Sequence, residues 1–455
     1  MSMYRYHLVA SFDKDLHALT SEIIQENSLV VVHIPFMTSS GALRYGLQTT
    51  IDELSKQAIY PSEAGFDAII FGVLVYMADM RISRRIQAQD SWSREIILTI
   101  PVYDMRWERF RETFERMLKF LTGDFWTIEF SQRQVKLAQG DKIADRSDKY
   151  KVASLFSGGM DSLIAAINYM EQKQPTLLVS HAGESRVRHW QTSLLSVLDN
   201  EYGDTSHGNA YYWSNLNGVD FPEAGTDLNQ RSRSFLFIAI ALFAMSGTAE
   251  CVELLMPENG LIALNVPLEY LRIGSHSTRT THPYYLKLWN DVASEMFGYS
   301  ISNPYWNKTK GEMALECLNK ELLKTAMGLS YSCSSVNSVS IQSGKSNHCG
   351  HCLPCIIRRA AMHKAFGDYD PSDYMDAEVS NLIKDRGSKG EQLRSFQYAI
   401  ERLKKNPDAK RALIHKPGPL DMDENYLIEL AETYYRGLME VDQWIQDSMG
   451  KENVN

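Results

Sequence analysis

Leu155-Phe156-Ser157-Gly158-Gly159-Met160-Asp161-Ser162 is the stretch of sequence that decides the fold. An apolar run from Val152 to Phe156 leads into it, and a helical spacing of apolar residues from Leu163 to Met170 follows it. This order predicts a buried strand, a turn with two glycines and a helix that begins at once. Glycine lets the backbone adopt dihedral angles barred to other residues and approach a ligand closely. We therefore expect a loop whose backbone amides face one ligand.

The chemistry expected of this loop is phosphate binding. The first amides of a helix have no intrahelical acceptor, and the helix dipole favours an anion at that end. Ser157 and Ser162 add hydroxyl donors, while Asp161 would be repelled by a bare phosphate and is expected to hold a Mg²⁺ ion that bridges the phosphates. These three are the predicted catalytic residues. The other residues expected at ATP are Phe156, Gly158, Gly159, Met160 and His181, which ends the next predicted strand.

A plain strand-to-helix turn with a serine cap is the alternative interpretation of the loop. An isolated Gly-Gly pair would favour that alternative, but the full Ser-Gly-Gly-x-Asp-Ser string between a strand and a helix favours the phosphate loop. No Gly-Lys-Ser/Thr follows, so it is not a Walker A loop, and a Rossmann fingerprint is also absent. For His181, the alternative is an ordinary polar residue at the end of a strand.

The string resembles the PP-loop of the ATP pyrophosphatases. That resemblance implies cleavage of ATP between the α and β phosphates, with a substrate oxygen attacking the α-phosphate and pyrophosphate leaving. AMP would then be displaced by a nucleophile. Stabilising the charge of the leaving group is a matter of positioning and electrostatics, which suits a loop of amides and a metal ion.

The segment around the loop alternates predicted strands and helices. Further strands are predicted at 177–181, 210–213 and 251–256, and a long buried helix at 234–245. Such alternation predicts an α/β fold, a parallel sheet with helices on both faces. The resemblance makes this expectation specific: a PP-loop domain of the HUP type at residues 150–330.

The preceding residues, 1–145, are expected to form a separate α+β domain. Strands are predicted at 29–34 and 96–100, a helix at 106–121, and either a strand or a helix at 68–76. Asp79, Arg81, Arg84, Arg85 and Trp92 are interpreted as a polar surface or docking patch. The polar stretch 137–150 marks the domain boundary.

Four of the six cysteines, Cys333, Cys349, Cys352 and Cys355, cluster in the spacing C-x15-C-x2-C-x2-C. Thiolates two residues apart can turn back onto one metal, and a closed four-thiolate site is structural. We expect zinc in this segment, residues 331–365, although an iron–sulfur cluster takes the same ligands and the spacing does not exclude it. A redox pair and chance clustering are further alternatives. Cys251 and Cys317 are expected to be small core residues.

A PP-loop followed by a Cys-Gly-x-Cys-x-x-Cys cluster resembles the QueC family, the 7-cyano-7-deazaguanine synthases, over residues 150 to 365. That family adenylates the carboxylate of 7-carboxy-7-deazaguanine and lets ammonia displace AMP. The gap between Cys333 and Cys349 is longer than the family's usual spacing, and the N-terminal segment and a helical extension at 366–455 are additional. This layout is similar to the QueC-like proteins of Qat-type anti-phage cassettes. The resemblance implies ATP and a 7-deazaguanine as ligands, and a partner protein of the same cassette as the amine acceptor.

The helical extension is predicted from two stretches, 389–405 and 424–449, with a Pro-Gly turn at 416–419 between them. Other polar residues are expected to contact the substrate or pyrophosphate, because arginine donates paired hydrogen bonds to phosphate and carboxylate. For each of them, an ordinary surface or turn residue is the alternative. They are Arg231, Arg233, Asn259, Arg272, Arg279, His282, Lys308 and Lys310.

The composition narrows the class of protein. Of 455 residues, 44% are hydrophobic and 23% charged, which is ordinary for a folded soluble protein. A net charge of -9 argues against a broad grip on nucleic acid. No apolar run is long enough to span a bilayer and no signal peptide is evident, so we expect a cytoplasmic protein without membrane contact. Self-association is possible, as in other QueC-like proteins.

Three alternative functions stay open from the sequence. One is a 7-cyano-7-deazaguanine synthase that uses ammonia. Another is a PP-loop enzyme that modifies tRNA, against which the acidic charge weighs. The third is a nucleotide-binding scaffold of a defence complex, which the intact Asp161 disfavours.

Overall fold

The computed structural model of the chain describes residues 3–88, 91–227, 229–268, 279–334 and 347–452. It contains two five-stranded sheets. The strands of the first are β1 (Arg5–Ser11), β2 (Thr20–Ile24), β3 (Leu29–Pro35), β4 (Glu95–Val102) and β5 (Phe125–Gln132). Their order is β2-β3-β1-β4-β5, and only β2 runs antiparallel to its neighbour. The first segment is therefore richer in parallel pairing than the α+β expectation implied, because helices return the chain between β3, β4 and β5.

Four helices accompany the first sheet: α1 (Leu47–Ser55), α2 (Glu63–Arg81), α3 (Arg84–Gln87) and α4 (Arg111–Thr122). The apolar run at 68–76, compatible with a strand or a helix, lies inside α2. Ser62 caps that helix by accepting a hydrogen bond from the amide of Gly65 at 3.2 Å. The helix expected from residue 106 begins at 111, because Met105–Phe110 forms a 3₁₀ turn.

The second sheet follows the alternation that the sequence predicts. Its strands are β6 (Val152–Leu155), β7 (Thr176–Ala182), β8 (His207–Trp213), β9 (Glu253–Leu255) and β10 (Ser300–Ser302), all parallel in the order β10-β9-β6-β7-β8. Its helices are α5 (Met160–Glu171), α6 (Ser185–Tyr202), α7 (Arg233–Met245), α8 (Gly260–Leu264), α9 (Pro283–Phe297), α10 (Lys310–Leu315) and α11 (Lys320–Ala326). The α/β class is confirmed.

The last part of the chain is mainly helical. It contains the two-residue strands β11 (Asn347–His348) and β12 (Asp373–Tyr374), and the helices α12 (Leu353–Phe366), α13 (Val379–Lys384), α14 (Ser388–Lys405), α15 (Ala409–Leu413) and α16 (Glu424–Glu452). A hydrophobic core of its own joins these helices to α8 of the second sheet.

One hydrophobic core crosses from the first sheet to the second. Helix α2 lies against α7: a Cβ at Gly72 would come within 2.5 Å of Ala239, and the rings of Phe71 and Phe235 are 5.0 Å apart. The same buried cluster extends from β1 to α9. The first segment is therefore packed against the second sheet, and the polar stretch at 137–150 does not interrupt their common core.

The polar surface or docking patch expected around Asp79 is wrong for two of its four charged residues, because Asp79 and Arg84 are buried, whereas Arg85 is exposed. Arg84 is 3% exposed and lies 2.7 Å from Asp79 and 2.6 Å from Asp124. Arg94 reaches the same two carboxylates at 2.8 and 2.6 Å. Asp79 also accepts the amide of Ser232 at 2.8 Å, next to the start of α7. The network ties the first segment to α7 instead of presenting a surface.

Candidate functional site

The glycine loop lies between β6 and α5, as the sequence predicts. Gly158 has φ +84°, a left-handed conformation that favours glycine. Helix α5 begins at Met160, and no side chain in the described ranges caps it. Ser157 is exposed, and its Oγ lies 3.3 Å from the Oγ of Ser162 and accepts the amide of Gly159 at 3.3 Å. At the start of α5, the serine hydroxyls of the loop therefore contact the loop itself, and they do not cap the helix.

The strand order places this loop at a crevice. From β6 the chain builds outwards through β7 and β8, then returns to the other side of β6 to form β9. Where the order reverses in this way, the loops at the carboxyl ends of the two central strands diverge, and ligands of open α/β sheets bind there. The glycine loop follows β6, and Glu258 and Asn259 follow β9, so both border the same crevice.

Asp161 lies at the centre of the buried polar groups in this crevice. Its Oδ1 is 2.7 Å from Nζ of Lys310, and both side chains are about nine-tenths buried, at 10% and 9% exposed. Its Oδ2 accepts hydrogen bonds from Nδ2 of Asn259 at 2.8 Å and from the Asn259 amide at 3.1 Å. Asn259 also caps α8 through Oδ1. It is therefore both a turn residue before Gly260 and a contact of the predicted site residue Asp161. Three predicted site residues are therefore in direct contact.

Glu258, which precedes Asn259 at the carboxyl end of β9, is a second carboxylate in the crevice. Its Oε2 accepts hydrogen bonds from the hydroxyls of Thr280, at 2.9 Å, and Thr281. Burial raises the pKa of Glu258; the negative charge of Asp161 adds to the rise, and Lys310 opposes it. Two carboxylates near one lysine leave a net negative charge. Carboxylate oxygens are the ligand type that Mg²⁺ takes, and both oxygens of Asp161 already contact Lys310 and Asn259.

Gln191 and Tyr331 hold the loop from behind, and no sequence pattern marked either of them. Nε2 of Gln191 lies 3.4 Å from the carbonyl oxygens of Phe156 and Ser157. A Cβ at Gly158 would come within 3.3 Å of the Gln191 side chain. The amide of Tyr331 donates to the Gly158 carbonyl at 2.9 Å.

His181 is a core residue at the end of β7. It is 1% exposed, its ring packs against Tyr76 and Phe237 at 5.3 and 5.5 Å, and its Nε2 lies 3.2 Å from Oγ of Ser214. Burial lowers the pKa of His181 well below its usual value, and the charge of Arg233 adds to this. The imidazole is therefore neutral. It lies in the interior beside the crevice.

Two of the predicted substrate arginines cap a helix of the first segment. Nη1 of Arg231 donates to the carbonyl of Thr122 at 2.7 Å, and Nη1 of Arg279 donates to the carbonyl of Phe120 at 2.8 Å. Both carbonyls belong to the last turn of α4, where cations are favourable. Burial lowers the pKa of Arg231 to about 10. These two arginines bind the end of α4, and Arg279 directly precedes Thr280, which donates to Glu258.

The remaining predicted residues are dispersed. His282 caps α9, its Nδ1 accepting the amide of Tyr284 at 3.2 Å, and burial lowers its pKa to about 3. Lys308 pairs with Glu316 at 2.8 Å, and its carbonyl accepts the amide of Gly260 at 2.8 Å. Arg233 lies over the ring of Phe237 at 5.4 Å, and burial lowers its pKa. Arg272 lies outside the described residues.

The four cysteines come together as the spacing predicts. Cys333, Cys349, Cys352 and Cys355 are buried, and their sulfur atoms all lie within 4.8 Å of one another. The pairs 333/352 and 349/355 are 3.8 and 3.9 Å apart, near the edge of about 3.8 Å that a tetrahedron with zinc–sulfur bonds of about 2.3 Å requires. The group can bind a single metal ion such as zinc. A four-iron cluster would separate the thiolates further.

The four-cysteine group adjoins the glycine loop, because Tyr331 donates its amide to the Gly158 carbonyl at 2.9 Å. Tyr331, two residues before Cys333, stacks on Trp190 at 3.6 Å and on His348 at 5.0 Å. The two other cysteines are core residues as expected: Cys251 and Cys317 are each 2% exposed. Burial raises the pKa of Cys251 to about 12, as expected of an inert thiol.

No protein-family model matches the chain, and a search of the curated proteins found no match either. Among the described residues, no helix is both long and apolar enough to cross a membrane.

Proposed function

We propose that the chain is an ATP-dependent ligase whose nucleotide site is the crevice between β6 and β9. The observation that carries this proposal is the buried group of Asp161, Lys310 and Asn259 beside the uncapped start of α5. An anion at that helix end is favoured by the dipole and by the free amides, and a buried lysine adds positive charge. Such a site is suited to the phosphates of a nucleotide.

The proposed reaction is adenylation followed by transfer to an amine. A substrate carboxylate oxygen attacks the α-phosphorus of ATP, the bond to the bridging oxygen breaks, and pyrophosphate leaves. An amine then attacks the acyl carbon and AMP departs, leaving an amide. The loop amides and Lys310 stabilise the negative charge of the leaving pyrophosphate, and Ser157 and Ser162 donate to its oxygens. Asp161 and Glu258 would hold Mg²⁺, which neutralises phosphate charge when bound.

The proposed substrate is 7-carboxy-7-deazaguanine, by resemblance to the QueC family and to the QueC-like proteins of Qat-type cassettes. The support is the combination of the PP-loop string with a four-cysteine centre, which packs through Tyr331 onto Gly158. Nε of Arg233 has no hydrogen-bond partner among the described residues, so Arg233 is available for an anionic ligand. The proposed acceptor is an amine of a partner protein.

The test is a pyrophosphate assay with ATP, Mg²⁺ and 7-carboxy-7-deazaguanine, run without amine, with ammonia, and with a partner protein from the same cassette. We expect pyrophosphate and AMP only when the deazaguanine is present, and an amide product with the partner protein. A nitrile formed with ammonia would assign a 7-cyano-7-deazaguanine synthase instead. ATP binding without pyrophosphate under every condition would contradict the ligase and favour a scaffold.

A further inference from the structure

The C-terminal helix α16 reaches the segment that carries Lys310. Glu440 of this helix is 8% exposed. Its Oε2 accepts the hydroxyl of Thr309 at 2.6 Å, and its Oε1 accepts the amide of Gly311 at 2.9 Å. One buried carboxylate thus binds the residues on both sides of Lys310. Hydrogen bonds to an ionised carboxylate are roughly twice as strong as neutral ones.

The carboxylate lies directly on the backbone of α10. A Cβ at Gly311 would come within 2.7 Å of both Glu440 oxygens, so this close approach needs glycine at position 311. Negative charge at the start of a helix is also favoured by its dipole. Lys364 of α12 faces the same carboxylate at 3.1 Å and supplies a counter-charge.

A second contact repeats this arrangement one turn earlier in α16. Nε of Arg436 donates to Oε1 of Glu312 at 2.8 Å, and its Nη2 donates to the carbonyl of Asn307 at 2.8 Å. Glu312 in turn completes a capping box with Thr309. The start of α10 is therefore fixed by two charged residues from the C-terminal extension.

Helix α16 also packs on the segment that carries Asn259. A Cβ at Gly260, the first residue of α8, would come within 2.7 Å of Cγ2 of Thr433. A Cβ at Gly437 would come within 3.0 Å of the Leu261 side chain. Both partners of Asp161, the asparagine before α8 and the lysine at the start of α10, thus stand on segments that α16 touches.

We infer that Glu440 is a positioning residue of the nucleotide site: it holds the start of α10 so that Lys310 meets Asp161 and the phosphates. The C-terminal extension is then part of the machinery of the site, and it acts through the starts of α10 and α8. This inference rests on the proposed function for its catalytic consequence, but its structural step, from Glu440 to Lys310, is independent of it.

A double-mutant cycle tests the catalytic consequence in the full-length protein. Glu440→Gln keeps the shape of the side chain but removes its charge and one acceptor, and we expect it to lower kcat/KM for pyrophosphate release about tenfold. Lys310→Met should lower it about a hundredfold. The double variant should be no worse than Lys310→Met, because Glu440 acts through Lys310. Losses that multiply would overturn the inference. The matched control is Glu429→Gln, an exposed glutamate of α16, which should retain full activity.

Labelling of lysine amines tests the structural step without any turnover. Acylation of Lys310, followed by mass spectrometry, should be about tenfold faster in Glu440→Gln than in the wild type, because the buried ion pair opens more often. Lys308, paired at the surface, is the internal reference and should label equally in both. Unchanged Lys310 labelling would overturn the inference even if the ligase is confirmed. Faster Lys310 labelling in a protein that releases no pyrophosphate would instead uphold the structural step and refute the proposed function.

A loss of folding in Glu440→Gln would be recognised by a missing cooperative thermal transition. In that case Thr309→Ala removes the hydroxyl that donates to Glu440 from the other side of the contact. The same increase in Lys310 labelling is expected of this variant, and its absence would equally overturn the inference.

Discussion

The carboxyl ends of the two sheets carry similar polar residues with opposite outcomes. In the first sheet, Arg133 follows β5 with its side chain 1% exposed, and pairs with Asp67 at 2.7 Å and Glu63 at 3.0 Å. Asp67 also accepts the backbone amides of Tyr103 and Asp104, which follow β4. The Asp67 carboxylate therefore joins the two loops that follow β4 and β5, which hold Tyr103, Asp104 and Arg133. These buried ion pairs and hydrogen bonds stabilise the carboxyl end of the first sheet.

In the second sheet, the charged pair of Asp161 and Lys310 lies beside a glycine loop whose helix start is uncapped. Ser157 is exposed and Glu258 adds a carboxylate with two threonine donors. A buried ion pair at the carboxyl end of a sheet is therefore not sufficient evidence of a ligand-binding site. What distinguishes the second edge is the donor-rich, uncapped loop next to the pair.

The largest difference in activity and stability is expected between the variants Asp161→Asn and Asp67→Asn. Asp161→Asn keeps the shape and removes the charge that Lys310 and Mg²⁺ need, so pyrophosphate release should fall by about a thousandfold. The midpoint of thermal unfolding should fall by less than in Asp67→Asn, because Lys310 and Asp161 are 9% and 10% exposed whereas Arg133 and Asp67 are 1% and 0% exposed. Steady-state assays and calorimetry measure both quantities. Retained turnover would refute the assigned role of Asp161.

Asp67→Asn should behave in the opposite way. It leaves Arg133 with a weakened partner in the interior, and breaking a buried ion pair costs about 3 kcal/mol of unfolding free energy. The KM for ATP of the protein that remains folded should equal that of the wild type. Denaturant unfolding and the pyrophosphate assay measure the two effects. A raised KM with unchanged stability would show that the first edge is also a ligand site.

The four-cysteine group lies next to the glycine loop at the carboxyl end of the second sheet, so its metal content is a further test of this region. Elemental analysis should find about one zinc per chain, as a closed four-thiolate site requires. Cys352→Ser should lose most of the zinc, whereas Cys317→Ser, a buried cysteine outside the cluster, should keep it. A wild-type protein without zinc or iron would contradict the metal centre, and about four irons per chain would replace zinc by a cluster.

The smallest effect concerns two glycines with left-handed backbone. Gly158→Ala in the loop and Gly218→Ala elsewhere have φ of +84° and +74°, so each should cost about 1–2 kcal/mol of stability. Only Gly158→Ala should also weaken ATP binding, by about tenfold, because the added methyl approaches Gln191 and shifts the loop. Isothermal titration with ATP and Mg²⁺ measures this. Equal ATP affinity in the two variants would show that the glycine loop does not bind ATP.

Local pattern was sufficient to predict the glycine loop, four of the five strands of the second sheet and the cysteine cluster. The strand β1 was not predicted, since its apolar residues alternate with Arg5, His7 and other polar ones. Helix α2 was ambiguous because its apolar run has no polar face. Strands β2, β5 and β10 were not predicted either, so local pattern in a single sequence carries only part of the fold.

The contacts of the site depend on tertiary order, which one sequence does not contain. Asn259 and Lys310 were selected as separate candidates, and only the strand order brings both to Asp161. Gln191, Glu258 and Tyr331 have no motif of their own. Arg231 and Arg279 looked like substrate ligands, yet the carbonyls they bind belong to the end of α4, which the sequence does not place beside them.

The most direct test of the central claim is an experimental structure with a non-hydrolysable ATP analogue and Mg²⁺. We expect phosphate oxygens within hydrogen-bonding distance of the amides of Gly159 to Ser162, with Lys310 turned towards them and the metal ion on Asp161. A nucleotide bound elsewhere on the chain, or an empty loop at saturating nucleotide, would contradict it.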